Sequence, residues 1–257
     1  MTLRIDLNSD LGESFGPWRM GEDEALLNIV SSANVACGMH AGDWDEMAVA
    51  MGRAVARDVG IGAHPGFPDL QGFGRRPMRM APASAGRLVQ YQIGAAQAMA
   101  RAAGGRVRHL KLHGALGNMA AQDLPLARAC FTAALAAAPD LILLVQAASA
   151  QVEAARELGA PAACEIFADR AYNEDGSLVD RREEGAVIHD ADIAAGRVAE
   201  MIAAGAIITR SGKRLPTRID TVCLHADTPG AAEAARRIRD NLTGRSVEVR
   251  QFEGEPI

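Results

Sequence analysis

No stretch of the 257-residue chain approaches the roughly 18 apolar residues that a membrane-spanning helix needs. The N-terminus, Met1-Thr2-Leu3-Arg4-Ile5-Asp6, meets charge too early for the apolar segment of a signal peptide, so the expected location is the cytoplasm. Positive charge is not in excess either. Lys plus Arg number 27 against 32 Asp plus Glu, a net −5, which offers no cationic field to a nucleic acid or an anionic membrane. Cysteine is scarce: Cys37, Cys130, Cys164 and Cys223 lie far apart without a CxxC pair. That spacing excludes a zinc knuckle and a disulfide framework and predicts reduced, buried thiols. No GxxxxGK[ST], GxSxG, HExxH or strand-following GxGxxG string occurs, so a P-loop, a nucleophile elbow, a zincin site and a Rossmann fingerprint are unsupported. Repeats, low-complexity tracts and Pro/Gly/Ser linkers are also missing, which predicts one domain over residues 1–257.

What is present is globular: 49% apolar and 23% charged residues, in a chain long enough to bury about three quarters of its unfolded surface. β-like runs at 3–8, 33–37, 60–63, 108–113, 141–145, 162–167 and 221–225 alternate with helix-favouring stretches at 22–30, 43–58, 83–103, 124–137, 148–158, 191–204 and 231–241. Such alternation, at this length, predicts a (β/α) barrel with seven strands. Two connections, 64–82 and 168–188, exceed the about 12–15 residues of ordinary loops and carry Arg, Tyr and Phe, which suggests ordered lids.

Closing parallel strands into a barrel brings all their C-terminal ends to one mouth, and there the chain concentrates its polar residues. In the first strand the period of two sets Leu3, Ile5 and Leu7 on one face and Asp6 and Asn8 on the other, with Asp10 and Glu13 just beyond. His40 follows the second strand between Gly38 and Gly42, and Asp43 reads as a helix N-cap. His64 follows the third. In the fourth, His109, Lys111 and His113 share a face, and a lysine inside a strand must be paired or functional. Glu165 runs into Asp169, Arg170 and Tyr172, for which a salt bridge pinning the loop is the plain alternative. The last strand sets Cys223, His225 and Asp227 on one face. Arg75 and Arg76 sit in a Gly-rich loop and either grip an anionic ligand or pair with Asp69. His189, in a turn, is assigned no chemistry. These residue types point to acid/base work, with or without a divalent ion.

The strings DLNSDLGESFGPWRMGEDEALL (6–27), SSANVACGMHAGD (31–43), GAHPGFPDLQGFGRRPM (62–78), KLHGALGNMA (111–120), EIFADRAYNEDGSLVDR (165–181) and CLHADTPGA (223–231) resemble the LamB/YcsF family of 5-oxoprolinase A subunits. They are long, ordered and span nearly the whole chain. The resemblance implies a seven-stranded TIM-like barrel of the glycoside hydrolase/deacetylase kind. It also implies ATP-dependent cleavage of 5-oxo-L-proline to L-glutamate, with ADP and phosphate, in a complex with two other 5-oxoprolinase subunits; a homo-oligomer is left open. With no P-loop, ATP would be held at the barrel mouth with Mg²⁺ or another divalent cation. The catalytic candidates are then Asp6, Asp10, Glu13, His40, His64, Lys111, His113 and Glu165. Asn8, Arg75, Arg76, Arg170, Tyr172 and His225 would bind substrate or nucleotide. Two other classes compete: a metal-dependent amide hydrolase without ATP, whose ligands would be Asp10, His64 and His113, and a subunit that only binds a carboxylate ligand. The family usually has Lys-Pro-His-Gly-Ala-Leu-Tyr-Asn where this chain has Lys111-Leu112-His113-Gly114-Ala115-Leu116-Gly117-Asn118, so a ring is expected to be missing from the pocket. Charges gathered at a site are held at a cost to stability, so removal of Asp10 or Lys111 is expected to leave stability unchanged or improved.

Overall fold

The computed structural model describes residues 3–225 and 230–257. Six strands, β1 (Arg4–Leu11), β2 (Ser32–Ala36), β3 (Gly60–His64), β4 (Val107–Lys111), β5 (Ile142–Gln146) and β6 (Pro161–Phe167), pair in parallel in chain order. An antiparallel ribbon of β7 (Ala206–Ile208) and β8 (Arg214–Pro216) follows, and then β9 (Thr221–Leu224) pairs in parallel with both β6 and β1 and closes the ring. The result is the expected seven-stranded (β/α) barrel. Outside it, β10 (Glu248–Val249) lies beside the start of β1 and β11 (Glu255–Pro256) runs antiparallel to β6.

Helices α1 (Asp23–Leu26), α2 (Trp44–Ala56), α3 (Pro82–Ala102), α4 (Gly114–Ala120), α5 (Leu124–Ala137), α6 (Ala150–Glu157), α7 (Ala191–Ala204) and α8 (Ala231–Gly244) clothe the barrel. Their starts are written in the sequence. Asp43, Asp123, Ser149 and Asp190 each accept hydrogen bonds from first-turn amides, and Gly205 ends α7 in the left-handed conformation. None of the described helices is long and apolar enough to cross a membrane. All four cysteines are free and buried.

Several boundaries differ from the sequence reading. The first strand, expected over 3–8, runs on to Leu11, so Asp10 lies within it and not beyond it. The helix expected over 22–30 is one turn, because the chain must swing round to enter β2 at Ser32. The strand expected over 108–113 stops at Lys111, and His113 instead precedes the unanticipated α4. The short strands β7, β8, β10 and β11 are additions to the expected set, since two or three residues carry no periodic signal.

In β1, Ile5, Leu7 and Leu11 belong to the apolar layer beneath the helices, whereas Asp6, Asn8 and Asp10 join polar side chains of other barrel strands. A barrel interior filled with such groups holds together only if every donor meets an acceptor, and that requirement organises the site.

Candidate active site

At the C-terminal ends of the strands lies a cavity of about 800 Å³. Both long connections contribute to its walls, Phe73, Arg75 and Arg76 from one and Arg170, Arg181 and Arg182 from the other. On its floor is Lys111, which is 5% exposed. Arginine supplies every other cation of the chain except Lys213, and the compact ammonium at 111 fits where a guanidinium fork would not. Nζ lies 2.8 Å from Glu165 Oε1, 3.0 Å from Asp10 Oδ1, 3.0 Å from Cys223 Sγ and 3.3 Å from Asn8 Oδ1. Burial alone would lower the pKa of Lys111, but Asp10, Cys223 and Glu165 hold it well above the ordinary lysine value. The two carboxylates are displaced in opposite directions. For Asp10 burial is outweighed by His64 and Lys111, which hold it well below the usual range; for Glu165 burial prevails over Lys111 and raises it.

Beside the lysine stand three histidines. His64 Nδ1 is 2.8 Å from the Lys111 carbonyl oxygen and His113 Nε2 is 2.8 Å from that of Phe73. A carbonyl only accepts, so both of these nitrogens carry the proton. Burial, then the neighbouring His64, pushes His113 down to about 3, so its Nδ1 is a bare acceptor. That atom faces His64 Nε2 at 3.1 Å, and Asp10 Oδ2 lies 3.3 Å from the same nitrogen. Acceptors alone cannot face one another so closely. Either a proton on His64 or a metal cation has to stand between them. His40 stacks on His113 at 3.6 Å, and burial followed by His113 and His64 holds its pKa well below the ordinary value. Neither His40 nitrogen has a hydrogen-bond partner among the described residues. Glu13 Oε1 is 3.9 Å from His40 Nε2 and 4.0 Å from His113 Nδ1, so Glu13, His40, His64 and His113 offer one ligand atom each within 4.8 Å. Asp10 is not in that group and belongs instead to one with Cys223 and His225.

Of the residues named from sequence, Asp10, Glu13, His64, Lys111, His113, Glu165, Arg75, Arg76, Arg170 and His225 line the cavity. Four do not. His40 stands behind His113; Asn8 is below Lys111; Tyr172 is fully buried, its hydroxyl oxygen accepting from the Phe167 amide at 2.8 Å. Arg76 pairs with Asp69, the plainer of its two expected roles, while Arg75 lies 4.9 Å from the Phe73 ring centroid. Arg170 donates to the Val179 carbonyl, not to Glu165, and burial followed by Arg181 lowers it to about 10. His225 Nδ1 is 2.7 Å from Asp169. Asp227 lies outside the described residues.

The fourth, Asp6, lies deeper, taking hydrogen bonds from Ser31 and Ser32 at 2.7 Å and from Thr221. Burial raises its pKa to about 6, against the pull of those hydroxyls. The folded value exceeds the ordinary 3.8, so the native state binds the extra proton between them. The contribution of Asp6 to stability is therefore present in full below about pH 4 and is lost as the pH rises through about 6. Urea unfolding of the wild type and Asp6→Asn across that range reads this as a pH-dependent difference between the two; a flat difference would contradict it.

Gly117 lines the cavity, as the sequence reading expects, and is also tightly packed. A Cβ there would sit 2.6 Å from the Leu112 carbonyl oxygen. The missing tyrosine thus reflects close packing of α4 on the end of β4 as well as the loss of a pocket ring. Gly117→Ala is expected to lower stability by about 1–3 kcal/mol through overpacking, read as a lower urea midpoint; an unchanged midpoint would mean that α4 shifts freely.

Asn34 and His109 complete the polar interior and are not among the sequence candidates. The available signal was register: Asn34 is opposite Asp10 on the neighbouring strand. With this geometry in hand, relatives are informative. The 5-oxoprolinase A subunit of Ruegeria pomeroyi is 59% identical over 97% of this chain and 99% of its own length, and that of Gluconobacter oxydans is 52% identical over 96% and 97%. The crystal structure of the lactam utilization protein from Thermus thermophilus is 42% identical, with a TM-score of 0.91 over 97% of this chain and all of that one. The LamB/YcsF family profile matches residues 5–256. The chain belongs to the LamB/YcsF family.

Proposed function

We propose that this chain opens the lactam ring of 5-oxo-L-proline as one component of a cytoplasmic, ATP-dependent 5-oxoprolinase that includes two other subunits. The balanced reaction converts 5-oxo-L-proline, ATP and two waters into L-glutamate, ADP and phosphate. The observation that carries the reading is the buried Lys111 held between Asp10 and Glu165 on the floor of a cavity walled by arginines. The names of the relatives add the substrate class.

A lactam carbonyl is a poor electrophile, and transfer of a phosphoryl group to its oxygen activates the carbon and creates a leaving group. Arg75, Arg170 and Arg181 give the cavity a cationic wall for the substrate carboxylate and the phosphates. Lys111 neutralises charge developing on the carbonyl or phosphoryl oxygen. Asp10, kept ionised, accepts a proton from the attacking water and passes it to the departing ring nitrogen, while Glu165 stays paired with Lys111 as its counter-ion. The second water then displaces phosphate from the acyl phosphate so formed and leaves L-glutamate. The facing acceptors around His64 fit a cation. Glu13, His40, His64 and His113, with Asp10 alongside, would hold it, and when bound it supplies Lewis-acid polarisation. Imidazole donors suit a zinc-like ion better than Mg²⁺, whose place is on the oxygen-rich ATP phosphates.

The same acceptors favour a second reading, a metal-dependent amide hydrolase that needs no ATP. Glutamate and ADP measured together in the reconstituted complex separate the two. Equal yields of both, and neither without ATP, support the first reading; glutamate without ADP supports the second, and no glutamate refutes both.

A further inference from the structure

The register of the barrel sets Asp10 on β1, Asn34 on β2, Gly62 on β3 and His109 on β4 side by side in one layer. Gly62 leaves a gap in that layer, and the His109 ring fills it: a Cβ at position 62 would overlap the imidazole. Through this gap His109 Nε2 reaches Asn34 Oδ1 at 2.8 Å, and Asn34 Nδ2 lies 2.8 Å from both Asp10 Oδ1 and Asn8 Oδ1.

The direction of every bond follows from the one group that can only donate. Lys111 donates to Asn8, so Asn8 presents its oxygen. Asp10 also accepts from Lys111. Asn34, which meets both of these acceptors, must therefore present its NH₂ to them and its oxygen to His109. His109 must then carry its proton on Nε2. Burial, followed by the charges of Arg108 and Lys111, pushes this histidine down to about 3, so the ring is neutral and only one nitrogen is protonated. Nδ1 has no partner among the described residues, in keeping with an unprotonated nitrogen facing the apolar side, where the ring packs edge-on against Phe252.

We propose that His109 and Asn34 are positioning residues for ring opening: His109, lodged in the space left by Gly62, locks the Asn34 amide so that it holds Asp10, between Lys111 and His64, toward the attacking water. Neither residue lines the cavity, so each acts through Asp10. The kinetic part of this inference rests on the function proposed above; the tautomer does not.

Two measurements test it. In ¹⁵N-labelled protein, long-range ¹H–¹⁵N correlations should show His109 as the neutral Nε2–H tautomer from pH 5 to pH 8; an Nδ1–H tautomer or an imidazolium would overturn the proposal whatever the protein catalyses. In the reconstituted complex, His109→Leu should lower kcat about 10- to 100-fold with KM for 5-oxoproline unchanged, the usual effect of removing the partner of a site group. His109→Gln, whose amide nitrogen can replace Nε2, should restore most of the loss. A folded Leu variant with unaltered kcat, or a Gln variant as impaired as Leu, would overturn the proposal. If the Leu variant does not fold, the tautomer and the Gln variant still decide. Absence of turnover in the wild-type complex would refute the proposed function and leave the tautomer measurement standing.

Discussion

Lys111→Met should abolish glutamate formation and destabilise the protein by about 3–5 kcal/mol, the usual consequence of taking one partner from a buried ionic group. Sequence alone points to the opposite stability effect, on the premise that interior charges repel. The structure reverses that premise, because Lys111 is the cation between Asp10 and Glu165, at 3.0 and 2.8 Å. Methionine keeps most of the volume of the side chain and leaves two buried carboxylates without the cation they share. Neutralising one of them should then recover stability, so Lys111→Met/Asp10→Asn should be more stable than Lys111→Met alone. Chemical denaturation of the two variants and the wild type checks this coupling. A single variant as stable as wild type would mean that the carboxylates pair elsewhere.

Asp10→Asn separates chemistry from folding. Asparagine keeps the shape and an oxygen for Lys111, and Lys111 retains Glu165 as counter-ion, so the fold should persist. The ability to take a proton from water is lost, and kcat should fall about 10²–10⁴-fold, the usual worth of a general base. Steady-state glutamate production in the reconstituted complex measures this. A kcat within a few-fold of wild type would remove Asp10 from the proton path and shift the base to the histidines.

Much of the barrel was legible because its signals are local. Asp6 and Asn8 alternate with Ile5 and Leu7, and caps such as Asp43 announce their helices. The strand-end position of His64 and Lys111 located the mouth. What could not be read is distance across the barrel. That Tyr172 turns back to Phe167 depends on how the 168–188 connection folds, and that His40 hides behind His113 depends on the turns that follow β2 and β4. Asp6 shows the limit of alternation: the period gives the face of the strand and not the depth, so a carboxylate two layers down looks like one at the mouth. Asn34 looks unremarkable alone, and His109, though alternation sets it on the face of Lys111, matters only through register with Asp10 and the gap at Gly62.

The most direct test is to see where the lactam binds. Crystals soaked in 5-oxoproline should show its ring in contact with Lys111, Asp10 and Glu165 and its carboxylate directed at the arginines of the mouth. The barrel offers another arginine-bearing hollow at its opposite end, lined by Arg57, Arg108 and Arg239. 5-Oxoproline bound in that hollow, with the mouth left empty, would contradict the account.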